Sequence, residues 1–147
     1  MTQRNRGLDP DEAASVSLTK KQVSDKMRRR ESLAEQDMRG LDLSGLCFDG
    51  LDLRRAKLAH ADLSRATFRR TDLAWASLWG ANLRDADFEG ANLEDADLDL
   101  ALLGGATFRG ARIRRTLFPL ADVSLDAIRA SVRTGQRIVE REPEDER

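Results

Sequence analysis

Between residues 41 and 125 the chain divides into seventeen groups of five, and the third residue of every group is apolar. That centre is Leu ten times and Phe five times, with Ile113 and Val123 completing the set. The first residue is Ala twelve times, Leu at Leu41, Leu46 and Leu51, and Thr twice, while the other positions are mostly polar, charged or Gly. A period of five suits neither common element. Five residues rotate an α-helix by about 500°, so successive centres would wander around it. In a flat strand an odd period throws successive side chains to opposite faces. All the centres share one side only if the chain bends once per group, always in the same sense. Four equal bends then close a square coil of twenty residues.

The phenylalanines test that coil. Phe48, Phe68, Phe88 and Phe108 are spaced by twenty, so four of the five fall on one face. Their rings can stack down the axis, and the backbones of successive coils can bond as in a parallel sheet, about 4.8 Å apart. Seventeen groups make a rod of roughly 20 Å. Two side chains per group point inward toward a narrow axis, which leaves room for one large and one small residue. The three Leu at first positions lie in the first coil and are expected to fill its open end.

The groups ADLSR, ANLRD, ANLED and ADLDL resemble the pentapeptide-repeat family, over about 85 of the 147 residues. The resemblance implies an all-β solenoid, a right-handed quadrilateral (four-sided) parallel β-helix. Short helical caps are expected at its ends.

Outside the repeat, residues 1–40 form a polar arm. Asp9-Pro10-Asp11-Glu12 has the form of a helix start, and Thr19-Lys20-Lys21-Gln22 has capping-box spacing. Val23 and Met27 lie four apart, so a helix over about 20–34 is expected, ending in Lys26, Arg28, Arg29 and Arg30. The arm is either solvated or a dock for an acidic partner. After the repeat region, 41–125, a capping or dimerisation helix is expected over 126–135. Ser124 can cap it, Leu125, Ile128 and Val132 form one stripe, and Gly135 can end it. That stripe either closes the last coil or contacts a second copy. Family members that bind DNA gyrase pair two rods end to end through a C-terminal element, so the resemblance allows a homodimer here. Residues 136–147 are a charged tail.

Composition narrows the chemistry. Lys and Arg number 25 against 26 Asp and Glu, a net charge of −1. That balance gives no reason to expect direct nucleic-acid binding, and no apolar run approaches a membrane span. A lone cysteine, Cys47, excludes an intrachain disulfide and accords with a cytoplasmic setting. The single His60, at an outward position, has no nucleophile or metal-ligand set around it. The chain is read as non-enzymatic, with no catalytic residue, metal or cofactor.

What remains is surface. Residues 81–100 carry Asp85, Asp87, Glu89, Glu94, Asp95, Asp97 and Asp99 against Arg84 alone, a net of −6. Residues 101–120 carry four arginines and no acid. Asp87 and Asp97 precede a centre and can serve the turn. Among outward apolar residues, Leu100 and Leu120 are twenty apart and expected to stack, with Leu102 and Leu117 nearby. Trp75 and Trp79 also point outward, as an interface or as packing beneath the arm. The candidate partner surface is Asp85, Glu89, Glu94, Asp95, Asp99, Trp75, Trp79, Leu100 and Leu120. The expected function is a rigid protein-interaction scaffold or adaptor whose partner is a protein of unknown identity. The alternative is a DNA mimic acting on gyrase, which needs negative charge sustained along the rod. Here the acid band spans one coil between basic ones.

Overall fold

The computed structural model describes residues 16–141. The helix start expected at Asp9-Pro10 lies outside them.

Parallel bridges join residues twenty apart along the rod, from Ser17↔Asp37 and Asp42↔Asp62 to Asp97↔Leu117. The chain thus returns above itself every twenty residues, as a parallel β-helix, with a bridge at the second residue of each group. The rest of each group is explained by asking where its five amides go. In the group at Phe48 and its equivalents, the centre amide donates forward one coil, Phe48 N to Thr67 O at 2.8 Å. The fifth amide does the same, Gly50 N to Arg69 O at 2.9 Å. The second donates back one coil, Thr67 N to Leu46 O at 3.0 Å. The first closes the bend onto the preceding centre, Leu51 N to Phe48 O at 3.1 Å.

The fourth amide has no backbone partner, and here the Asp or Asn of the second position acts. Its carboxylate or amide oxygen accepts from the fourth N–H, as in Ser64 N to Asp62 at 3.1 Å and Glu94 N to Asn92 at 3.1 Å. Asp87 and Asp97 serve Glu89 and Asp99 in the same way, at 3.0 and 2.9 Å. The bend itself is left-handed backbone. Every fifth residue from Arg30 to Arg115 has positive φ, whether it is glycine, as at Gly80 (65°), or not, as at Trp75 (62°) and Leu100 (58°).

Inside, the centres are buried except the half-buried Ile113, and the first-position alanines are buried as far as Ala111. Phe48, Phe68, Phe88 and Phe108 stack with ring centroids 4.9–5.1 Å apart and planes within 6° of parallel. Phe118 falls out of that column and meets Phe108 edge-on at 85°. The two threonines at first positions keep their hydroxyls satisfied: Thr71 donates to Phe48 O at 2.8 Å and Thr116 to Leu93 O at 2.6 Å.

The ends depart from the expected boundaries. The coil begins before Leu41, because Leu33 and Met38 are buried centres whose amides donate to Asp52 O and Lys57 O. Residues 31–40 therefore belong to the coil and not to the arm. Helix α1, Lys20–Arg28, is shorter than expected, since Arg30 takes the first left-handed bend (φ 54°) and Leu33 must enter a wall. Thr19 and Gln22 form the capping box, and Val23 is buried beneath the first coil. Leu41 and Leu46 pack against the core from positions half covered by this cap.

At the other end the chain leaves the coil at Pro119. Bridges stop at Leu117. Leu120, the fifth residue of the same group, does not take the positive φ of the earlier bends, and Asp122 N and Val123 N turn back onto Pro119 O at 3.0 and 3.1 Å. Val123 is still buried, but the track is gone. Helix α2, Leu125–Thr134, starts on Ser124, which accepts from Ala127 N, and ends at Gly135 with φ 77°. The residues after it complete the cap. Gly105 N donates to Ile138 O, Ile138 N to Ala106 O, and Glu140 Oε1 accepts from Leu103 N and Gly104 N at 3.1 and 2.9 Å.

Candidate interaction surface

A twenty-residue coil turns sequence spacing into vertical columns, so each wall carries its own residues. Lys57, Ser77 and Asp97 are bridged in series and form the middle of one wall. Trp75, at the bend before that wall, is 58% exposed, and Trp79, at the bend after it, is 37% exposed. Leu117 on the same wall is 58% exposed and Leu100 at its border is 54% exposed. Most of the exposed large apolar side chains of the repeat therefore border one wall.

The tryptophans are not covered by the arm residues that the structure describes. The Arg55 guanidinium lies over Trp75, 5.7 Å from the ring centroid, a cation–π contact. Trp79 meets the edge of His60 at 4.9 Å, and His60 lies across the bare Gly80, where a Cβ would come within 2.9 Å of the ring. His60 thus has a packing role. Leu120 is exposed (49%), but it follows Pro119, off the coil, so it does not stack on Leu100 as expected. Leu102 is half-buried.

The charged candidates are spread over several walls and are largely engaged within the chain. Asp95 receives both Nε and the terminal nitrogen of Arg115, at 2.6 and 2.9 Å, and that guanidinium lowers its pKa. Glu94 pairs with Arg112 at 3.3 Å, Asp85 with Arg137 at 3.5 Å, and Glu89 lies 3.9 Å from Arg69. Asp99 accepts no such partner among the described residues, and its carboxylate takes the amide of Leu100. On the wall of the stacked phenylalanines, Gly90 and Gly110 leave a cleft of about 500 Å³ lined by Arg69, Arg70, Glu89 and Arg109. Of the expected C-terminal stripe, Ile128 is fully buried in the cap, Val132 packs partly against it, and Leu125 is 40% exposed.

Among the described residues no group of His, Cys, Asp or Glu is arranged to hold a metal ion, and no helix is long and apolar enough to cross a membrane. Cys47 is a free, exposed thiol.

Sequence-only reading missed the pairing of the walls: that Arg54, Arg55 and Lys57 sit in the same columns as Glu94, Asp95 and Asp97. The signal was present as identical repeat positions forty residues apart.

A sequence profile described as pentapeptide repeats matches eight copies, over residues 37–74, 47–85, 68–105 and 81–118. No curated protein matches. Among solved structures, a pentapeptide repeat protein from Nostoc Pcc 7120 is similar, with 32% identity and a TM-score of 0.69, over 81% of this chain and 97% of that one. A pentapeptide repeat protein from the Arabidopsis thaliana thylakoid lumen shares 35% identity with a TM-score of 0.44, over 54% of this chain. The present chain spans 59% of that protein's length.

Proposed function

Because this chain belongs to the pentapeptide-repeat family, we propose that it is a non-catalytic protein-interaction module, a rigid scaffold or adaptor that works through its outer walls. The reading includes the right-handed, four-sided cross-section of the family, in keeping with a bridge every five residues and a return every twenty. A soluble cytoplasmic setting goes with it.

One observation carries the proposal. Trp75, Trp79, Leu100 and Leu117 stand exposed around a single wall, and exposed tryptophans concentrate binding energy at interfaces. Trp75 and Leu100 do so from left-handed backbone, which costs a side chain about 1 kcal/mol or more. Their own burial offsets little of that.

Imitation of a DNA phosphate track ranks lower. Arg115, Arg112, Arg69 and Arg137 sit on the acids that would form it.

Affinity capture tests the module. Proteins bound specifically by the wild type are expected to be lost with Trp79→Ala and with Leu100→Asp while the melting temperature stays unchanged. Equal capture by all three chains removes this wall as the binding surface.

A further inference from the structure

The wall around Ser77 carries a charge arrangement that is opposite on its two sides. One coil toward the N-terminus, the same columns hold Arg55 and Lys57; one coil toward the C-terminus, they hold Asp95 and Asp97. Between them stand only Trp75 and Ser77. Arg54 and Glu94 stand at the same bends as Arg55 and Asp95, but each is paired within the chain, Arg54 with Asp52 and Glu94 with Arg112. Successive coils are about 4.8 Å apart, so the basic and acidic rows are separated by about 10 Å.

We propose that this wall pairs with the same wall of a second copy, with the two rods antiparallel and the twofold axis running along the strand through Trp75 and Ser77. That rotation exchanges the coil before the axis with the coil after it. Lys57 then faces Asp97 of the second copy and this pair occurs twice, while Arg55 comes over Asp95, whose carboxylate is already held by Arg115. Trp75 meets its own equivalent at the centre. A twofold axis along the rod instead would place Lys57 against Lys57 and Asp97 against Asp97, so the charges select the antiparallel arrangement.

Three observations support a second copy as the occupant. The charge complementarity is internal to one wall, and a closed two-fold contact needs such self-complementarity. Among the described residues no ion pair engages Arg55, Lys57 or Asp97, although Arg55 lies over Trp75 and Asp97 accepts the Asp99 amide. The central Trp75 is exposed in strained backbone. The wall is about 15 Å by 20 Å, or ~300 Å² of flat footprint, well below the ~800 Å² per partner of a standard interface. The dimer is therefore of the weak class, and it loosens as salt screens the charges.

This deepens the interaction-module reading and rests on it. A chain that stays monomeric yet still captures a partner would refute the pairing alone.

Two single charge reversals decide the matter by sedimentation at low salt. Lys57→Glu sets a carboxylate against Asp97 in its own dimer, and Asp97→Lys sets a second ammonium against Lys57. Lysine already stands at this repeat position in Lys57, so the coil accepts it. Wild type is expected to dimerise with rising concentration up to about 100 μM, with a blue shift of tryptophan emission as Trp75 is covered. Each variant alone is expected to bind itself at least tenfold more weakly. An equimolar mixture of the two restores opposite charges across the contact and is expected to recover wild-type association. A wild type that remains monomeric overturns the proposal. So does either variant dimerising as wild type does, or a mixture of folded variants that stays monomeric.

Discussion

The middle of the rod and its two ends solve the same problem by different means. In the middle, most amides of a coil find a partner in the coil above, in the coil below, in the preceding centre of the same coil or in an Asp or Asn two residues back. At the ends no further coil exists, and unlike parts stand in for it. The N-terminal end uses α1 and its buried Val23. The C-terminal end uses a helix, a serine and a glutamate. Ser131 Oγ accepts Phe108 N at 2.9 Å, where another coil would have offered a carbonyl, and Val132 O takes Gly110 N. The middle is thus secured by repetition and the ends by individual residues, as expected of a solenoid whose terminal units must be capped.

Single substitutions test the difference between middle and ends. The largest effect is expected in the middle. Phe88 has a stacked ring on each side, so Phe88→Ala should destabilise by about 3–5 kcal/mol, read as a lower denaturant midpoint. A loss no greater than that of an exposed alanine substitution would show that the column is not the core. At the C-terminal end, Ser131→Ala leaves the buried Phe108 amide without an acceptor and should cost about 1–3 kcal/mol. Amide exchange should quicken at Phe108 and Gly110 before it does at Phe88; uniform quickening would mean that cap and middle open together.

The smallest effect belongs to the first coil. Asp37 is buried and accepts both Nε and the terminal nitrogen of Arg39, at 2.9 and 2.7 Å, which holds its pKa at about 2. A depressed carboxylate stabilises the fold above its unfolded pKa, near 4, and that contribution is lost as pH falls from about 4 to about 2. Its full size is about 2 kcal/mol at neutral pH, reduced by the solvent around the half-exposed Arg39. The gap in melting temperature between wild type and Asp37→Asn should therefore narrow through that window. A gap constant from about pH 6 to about pH 2 would remove the ion pair from the account.

The same contrast decides what could be seen in the sequence. The period of five, the Phe column and the turn role of Asp87 and Asp97 were legible because repetition multiplies a weak signal. Ser124 and Gly135 marked α2 because caps have local chemistry. The start of the coil was hidden. Its first groups carry Glu31 and Gln36 where alanine is the rule, and this end is closed by a helix instead of a coil, so a polar first residue is tolerated. The end was overrun because the centres Phe118 and Val123 continue the pattern, although Leu120 does not make the left-handed bend that would carry the coil on. For the surface, the exposed tryptophans were visible. Leu120 was misplaced by extending the column past Pro119. Arg115 stands twenty residues from Asp95, so that pair was legible from the coil, whereas Arg112 reaches Glu94 from eighteen residues away, off its column.

The twenty-residue return also sets a unit of growth. Backbone bonds between coils span a fixed number of residues, so adding or removing one whole coil leaves every remaining wall facing as before. Adding a single group of five preserves the alternation of large and small interior residues but turns everything beyond it by one wall. Phenylalanines would then sit over leucines, and the rows that place Lys57 and Asp97 in line would be split between neighbouring sides. A rod of this kind can change length in steps of five and keep a sound interior, but only steps of twenty let it keep its outer face.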